Sequence, residues 1–169
     1  MRKDEMMKKS HVLVLDTPAI IKGYLQPTFN YTTQLVINEI NRIADFDPSY
    51  LMALVEVLEF DKDSFNQVKK VAIDSGDFWV LSYTDLSVLA LANQLKQQGF
   101  FTSVASDDYA LLNVANFLGL NALMVTNKKP DFRLIKWRWY CPVCGYKKTL
   151  GLKVCPECGS PLKRSPCKL

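Results

Sequence analysis

The chain has 169 residues, 49% of them hydrophobic, which suffices for one medium domain with a packed core and a small appended module. No apolar run is long enough to cross a bilayer, so a membrane-spanning protein and a membrane partner are set aside. The net charge of +4 hides an asymmetry: residues 1–130 sum to −3 and residues 131–169 to +7, so an acidic body carries a basic tail suited to an anion, nucleic acid first among them.

Residues 1–10 read as a charged leader outside the fold. His11, the one histidine, reads as a surface or edge residue rather than a general base. Val12-Leu13-Val14-Leu15 is an unbroken apolar run, the pattern of a strand buried on both faces of a parallel sheet. It ends at Asp16-Thr17-Pro18, where Asp16 or Thr17 caps a helix with proline in its first turn. A carboxylate just past such a strand also stands where open α/β sheets place their sites. Leu35, Val36, Ile40 and Ile43 share a helical face, capped by Thr32 or Thr33, with Glu39 on its border. Helices are expected over residues 49–60 and 63–74, the second capped by Asp63 or Ser64.

Phe78–Leu81 reads as a strand or extended run. Ser82-x-x-Asp85 is a helix start close to a capping box. Phe101–Ala105 is the next strand, Ser106-Asp107-Asp108-Tyr109 opens another helix, and Ala122–Thr126 is the last strand. Alternating strands and helices predict a three-layer α/β/α domain with a mostly parallel sheet over residues 11–127, then a linker over 128–135.

Residues 136–164 follow another logic. Cys141-Pro-Val-Cys144-Gly and Cys155-Pro-Glu-Cys158-Gly are two tight turns, each presenting a pair of thiols, with a glycine free to take positive φ. Four thiolates at this spacing predict one structural zinc ion in a closed tetrahedral site. Disulfides or a redox motif are the alternatives. The cysteine-free body and the lack of a secretory signal point instead to a cytoplasmic, metal-binding chain. So small a segment draws much of its folding free energy from the metal. Cys167 stands outside both turns and reads as a free thiol.

Asp16, Asp85 and Asp107 or Asp108 each sit at a helix start, two of these sites directly after strands, and Glu39 can join them from its helix. The body offers no Ser-His-Asp set, no cysteine nucleophile and no glycine-rich phosphate loop. A carboxylate cluster without a histidine base suits hard divalent cations, one or two Mg²⁺ or Mn²⁺, of the kind that cut phosphodiesters.

Leu-Asp16-Thr-Pro-Ala-Ile, Thr33-x-x-Val-Ile-x-Glu39-Ile, Tyr-Thr-Asp85-Leu-Ser-Val-Leu and Ser106-Asp107-Asp108-Tyr-Ala-Leu resemble, in order, the four acidic motifs of PIN-domain nucleases. Followed by a rubredoxin-like zinc ribbon, they resemble the NIN-one-binding-protein family of ribosome-biogenesis endonucleases, in its compact archaeal form. The resemblance implies a metal-dependent endoribonuclease that cuts single-stranded precursor rRNA and matures the 3′ end of small-subunit rRNA. Its partners would be that precursor and the small ribosomal subunit. It implies Asp16, Glu39, Asp85 and either Asp107 or Asp108 as catalytic Mn²⁺ or Mg²⁺ ligands. Pro18 departs from the Ser or Asn that many members carry after Asp-Thr. On the ribbon, Lys136, Trp137, Arg138, Trp139, Lys147, Lys148, Lys153, Lys163 and Arg164 mix stacking rings with cations, as single-stranded RNA requires, although about half of the aromatic rings are expected to be buried in packing. A non-catalytic RNA-binding assembly factor, or a PIN ribonuclease with another RNA target, is the alternative. Oligomeric state stays open.

Overall fold

The run His11–Leu15 forms β1, the central strand of a sheet, in a computed structural model that describes residues 10–27, 29–43, 49–126, 133–147 and 152–167, without the side chains of 51 and 52. Residues 1–9 of the charged leader, Lys148 and linker residues 128–132 lie outside the described residues. The body continues through α1 (Thr17–Ile21), β2 (Asn30–Thr32), α2 (Gln34–Ile40), α3 (Ser49–Met52), β3 (Glu56–Val57) and α4 (Lys62–Ser75). It ends with α5 (Tyr83–Gln97), β4 (Phe101–Ser106), α6 (Tyr109–Phe117) and β5 (Asn121–Met124). The five strands lie in the order β3-β2-β1-β4-β5. Every pairing is parallel.

The strand order reverses direction between β1 and β4. From β1 the chain steps outward to β2 and β3. It then returns through α4 and α5 to β4, on the other side of β1. Right-handed crossovers accordingly put α1 and α2 on one face of the sheet and α4, α5 and α6 on the other. Packing agrees for the pairs within each face, where α1 lies on α2, and α4, α5 and α6 lie on one another, while α2 also meets α5 through Thr33 and Ser87. The place where the order reverses opens a crevice at the carboxyl ends of β1 and β4. Val12, Leu13, Val14 and Leu15 are fully buried between the layers, as are Leu89, Leu91, Leu111 and Leu112.

Three local expectations are corrected. The helix expected over 49–60 stops at Met52, and Glu56–Val57 is a strand. Its backbone completes the edge of β2, where Leu58 N–H donates to Thr32 O at 2.9 Å, and this pairing outweighs helical spacing. Phe78–Leu81 is a turn rather than a strand. Gly76, at φ +83, ends α4 in the left-handed region, and Phe78 N–H folds back to Ala72 O. The cap of α4 is Asp61, whose Oδ1 accepts from Ser64 N–H at 2.6 Å, rather than Asp63 or Ser64.

β6 (Trp137–Tyr140) and β7 (Lys163–Pro166) pair antiparallel into a separate two-stranded sheet that carries the cysteine turns. Its small core is Cys141, Cys155 and Leu162, with Trp139 and Tyr146 packed on them. The hairpin docks on the body. Trp139 Nε1–H donates to Gly76 O at 2.8 Å, and Arg164 Nη1 meets Asp77 Oδ1 at 3.0 Å. Asp77 is wholly buried, and its other oxygen accepts from Ser75 Oγ at 2.9 Å and Asn113 Nδ2 at 2.7 Å. Burial pushes its carboxyl up, against the pull of Asn113, Ser75 and Arg164.

Candidate active site and candidate metal centre

Asp16 forms the floor of the crevice. It follows β1 directly and caps α1, with Oδ1 accepting from Ala19 N–H at 2.8 Å. Ser106, the last residue of β4, donates its hydroxyl to Asp16 Oδ2 and accepts from Asp108 N–H at 2.9 Å. One serine thus ties the ends of the two strands at the reversal point. Asp16 is 3% exposed, and its carboxyl is pushed up to about 6, first by burial and further by the charges of Asp85 and Asp107.

Three more elements bring carboxylates to this floor. Thr17 Oγ1 donates to Glu39 Oε2 at 2.7 Å, orienting the half-buried Glu39 from α2. Asp85, half-buried in the first turn of α5, forms a reciprocal capping box with Ser82 and accepts from Ser82 N–H at 2.8 Å. Burial raises its pKa, hydrogen bonds from Ser82 oppose the rise, and the charges of Asp108 and Glu39 add to it. Thr33, the N-cap of α2, bonds Ser87 of α5 at 2.9 Å, holding the helices that carry Glu39 and Asp85 beside each other.

Asp107 and Asp108 part ways. Asp107 forms an ion pair with Lys22 through Oδ2 and accepts from Thr126 N–H at 2.9 Å and Thr126 Oγ1 at 3.0 Å through Oδ1. Burial works against its ionisation, but the hydrogen bonds and charge of Lys22, with Thr126, hold its carboxyl below the usual range. Asp108 is exposed and caps α6, with Oδ1 accepting from Ala110 N–H at 2.7 Å. The capping roles read for Asp16 and Asp85 are therefore real, yet capping occupies one oxygen each of Asp16, Asp85 and Asp108. Ser106, Thr17 and Lys22 are site residues that sequence reasoning passed over. A hydroxyl at the end of β4 and another beside Asp16 were the available signals for the first two, and nothing local marks Lys22.

The four cysteines meet as their spacing predicts. Cys141 and Cys158 sulfurs lie 3.4 Å apart, Cys144 and Cys155 3.5 Å apart, and all four within 4.8 Å of one another. No pair is bonded as a disulfide. Sulfurs about 2.3 Å from a tetrahedral zinc stand about 3.8 Å apart, so the set fits such an ion. Gly145 (φ +74) and Gly159 (φ +72) take the left-handed turns that bring the thiols together. Hydrogen bonding to Ser160 draws the Cys158 thiol down, while against the pull of the Tyr146 backbone the thiols of Cys155, Cys141 and Cys158 push Cys144 up, the opposed behaviour of sulfurs crowded around one point. Among the described residues these thiols are the set of three or more candidate ligands closed this tightly, and the carboxylate crevice is wider. Cys167 stays outside, its N–H on Lys136 O at 2.7 Å.

The nine ribbon positions divide. Trp137, Trp139 and Arg164 turn to the body: Gly76 lies against the Trp137 backbone, and the Arg164 guanidinium covers the Trp137 ring at 4.4 Å. Lys136, Arg138, Lys147, Lys153 and Lys163 are exposed.

Comparison with known proteins adds the following. Residues 13–95, which hold Asp16, Glu39 and Asp85, match the family model described as a PIN domain of ribonuclease. The chain is 37% identical over 162 residues to an endoribonuclease Nob1 from Pyrococcus abyssi, covering 91% of this chain and 93% of that protein. It is 31% identical over 157 residues to an endoribonuclease Nob1 from Archaeoglobus fulgidus, covering 91% and 90%. A ribonuclease VapC1 from Thermoplasma acidophilum is 32% identical over 157 residues, covering 90% of this chain and 77% of that protein.

Proposed function

The chain belongs to the Nob1 family of PIN-domain endoribonucleases, and from that premise we propose that it matures the 3′ end of small-subunit rRNA by metal-dependent cleavage of a single-stranded precursor. One observation carries the reading. At the reversal point of the sheet, burial raises the carboxyls of Asp16 and Asp85, and to this the charges of Asp85 and Asp107 add on Asp16 and those of Asp108 and Glu39 on Asp85. Carboxylates that oppose one another's ionisation in one crevice are relieved by a cation.

Asp16, Glu39, Asp85 and Asp108 are the residues we assign to one or two Mg²⁺ or Mn²⁺ ions. Asp107, committed to Lys22 and Thr126, supports the set from beside it. When bound, such ions activate water and stabilise the departing oxygen of a phosphodiester. The protein's own part is positioning. Ser106 holds the inner oxygen of Asp16 and the backbone of Asp108, and Thr17 holds Glu39, so the carboxylates are oriented before substrate arrives. The cysteines we assign to one structural Zn²⁺. We divide the chain into a nuclease body over 11–127, a linker over 128–135 and a ribbon over 136–164. The small ribosomal subunit, in the cytoplasm, is the expected partner.

The test is cleavage of two single-stranded RNAs of equal length, one spanning the small-subunit rRNA 3′ end and one of shuffled sequence, with and without Mn²⁺. Discrete Mn²⁺-dependent cutting of the first, lost in Asp16→Asn, is expected. Equal cutting of both would sink the rRNA assignment, and undiminished cutting by Asp16→Asn would sink the site.

A further inference from the structure

Five carboxylates gather at the reversal point of the sheet, and an RNA strand is itself a polyanion. Even two divalent ions leave Asp16, Glu39, Asp85, Asp107 and Asp108 with a net negative charge. A phosphate entering beside them therefore needs a fixed cation. Among the described residues, Lys22 is the cation paired with one of these acids. It is the C-cap of α1, the helix whose N-cap is Asp16. The rise of a helix sets its Cα about 9 Å along the axis from that of Asp16. Helical side chains lean toward the N-terminal end, so the Lys22 stem reaches back along α1. There its Nζ meets Asp107 Oδ2, just past β4, and bridges the crevice mouth from the β1 side to the β4 side.

The two members of this pair are anchored unequally. Asp107 Oδ1 accepts from Thr126 N–H at 2.9 Å and from Thr126 Oγ1 at 3.0 Å, so the chain after β5 fixes this carboxylate without Lys22. Lys22 has no such second anchor. Its side chain is 46% exposed, and among the described residues two of its three N–H donors meet no acceptor. Support therefore runs outward, from Thr126 to Asp107 to Lys22. It ends on an ammonium with two free donors at the rim of the crevice.

We propose that Lys22 binds the RNA phosphate next to the one that is cut, with Asp107 holding the ammonium in place. The assignment rests on the ribonuclease reading above. An ammonium is a compact point charge, suited to a backbone phosphate of any sequence. It sets the strand against the carboxylates without serving as a ligand to the ions.

Single-turnover cleavage tests this, with the zinc-loaded full chain, Mn²⁺ and the oligomer spanning the small-subunit rRNA 3′ end, across protein concentration and salt. Lys22→Gln is expected to raise the half-saturating concentration several-fold. It should also flatten the salt slope by about 0.7, the contribution of one single-strand phosphate contact. Lys22→Arg, which keeps the charge and the donors, should restore most of both. Mn²⁺ affinity by isothermal titration should be no weaker in Lys22→Gln than in wild type. Oligomers carrying one uncharged methylphosphonate at successive positions locate the contact. At the position beside the cut, wild type should lose several-fold and Lys22→Gln nothing further. An unchanged salt slope in Lys22→Gln overturns the proposal, as do equal losses by both proteins at every methylphosphonate. So does Mn²⁺ binding that falls in Lys22→Gln as far as in Asp107→Asn, which makes the lysine a prop for the acids. Failure by the wild type to cut this RNA or a shuffled one removes the ribonuclease reading and the role of Lys22 with it. Wild-type cutting with an unaltered Lys22→Gln removes the role of Lys22 alone.

Discussion

Asp16→Asn should make the protein more stable when no divalent cation fills the crevice, which is the opposite of what a simple cap would do. The folded-state pKa of Asp16 is about 6 against 3.8 in an unfolded chain. A raised carboxyl binds its proton more tightly when folded, so its contribution is intact below about pH 4 and is lost as pH rises through about 6. At ~1.4 kcal/mol per pH unit the full loss is about 3 kcal/mol at neutral pH. Asparagine keeps an oxygen for Ala19 N–H and removes the charge, but disturbs the Ser106 bond, so a net gain of about 1–3 kcal/mol is expected at pH 7.5. The assay is urea unfolding of zinc-loaded protein, desalted free of Mg²⁺ and Mn²⁺, between pH 4 and 7.5, repeated with Mn²⁺. Wild type should lose stability across that range and regain it with Mn²⁺, and Asp16→Asn should do neither to the same degree. A less stable Asp16→Asn at pH 7.5, with the wild-type slope preserved, would leave Asp16 as a cap alone.

Other outcomes follow from the docking contact and the ribbon. Arg164→Ala strands a buried Asp77 and should cost about 3 kcal/mol, the low end for a broken buried pair because Arg164 is partly exposed, with faster proteolysis between body and ribbon as the readout. With its partner gone the Asp77 carboxyl should rise further, so the Arg164→Ala penalty should grow from pH 5 to pH 8. Gly76→Ala meets Trp137 O at 2.5 Å from its Cβ in a left-handed backbone and should cost at least about 1–2 kcal/mol by thermal unfolding. If it does not, the ribbon is not seated there. Cys155→Ser should abolish stoichiometric zinc and unfold the ribbon, read by loss of its amide signals, while signals of the sheet β3-β2-β1-β4-β5 persist.

What the sequence discloses depends on how local the cause is. The cysteine turns are legible because two intervening residues and a following glycine are enough to aim two thiols. β1 and β5 are legible as apolar runs and β4 as a stretch of Phe, Thr, Val and Ala after Gly99, and the acids that follow β1 and β4 are brought together by topology. β2 and β3 are not, because Asn30-Tyr31-Thr32 and Glu56-Val57 become strands only by pairing with each other and with β1. Phe78–Leu81 misleads for the converse reason: it is a turn in which Phe78 and Leu81 pack on the core while Trp79 and Val80 are exposed, and no ladder holds it. Asp77 is invisible in sequence, since its partner Arg164 lies 87 residues away. The same contact takes Arg164, Trp137 and Trp139 to the body and leaves Arg138, Lys147 and Lys163 outward. Asp107 and Asp108 look equivalent as neighbours, and only Lys22 and Thr126 tell them apart.

If the carboxylates hold the ions that cut RNA, the protein binds Mn²⁺ through them and loses cleavage with that binding. Isothermal titration of zinc-loaded wild type and Asp85→Asn, alongside cleavage of the rRNA 3′-end oligomer, is the measurement. One or two bound Mn²⁺ are expected in wild type, with binding and cleavage lost together in Asp85→Asn. Cleavage that survives in Asp85→Asn, or wild-type cleavage with no Mn²⁺ bound, would contradict it.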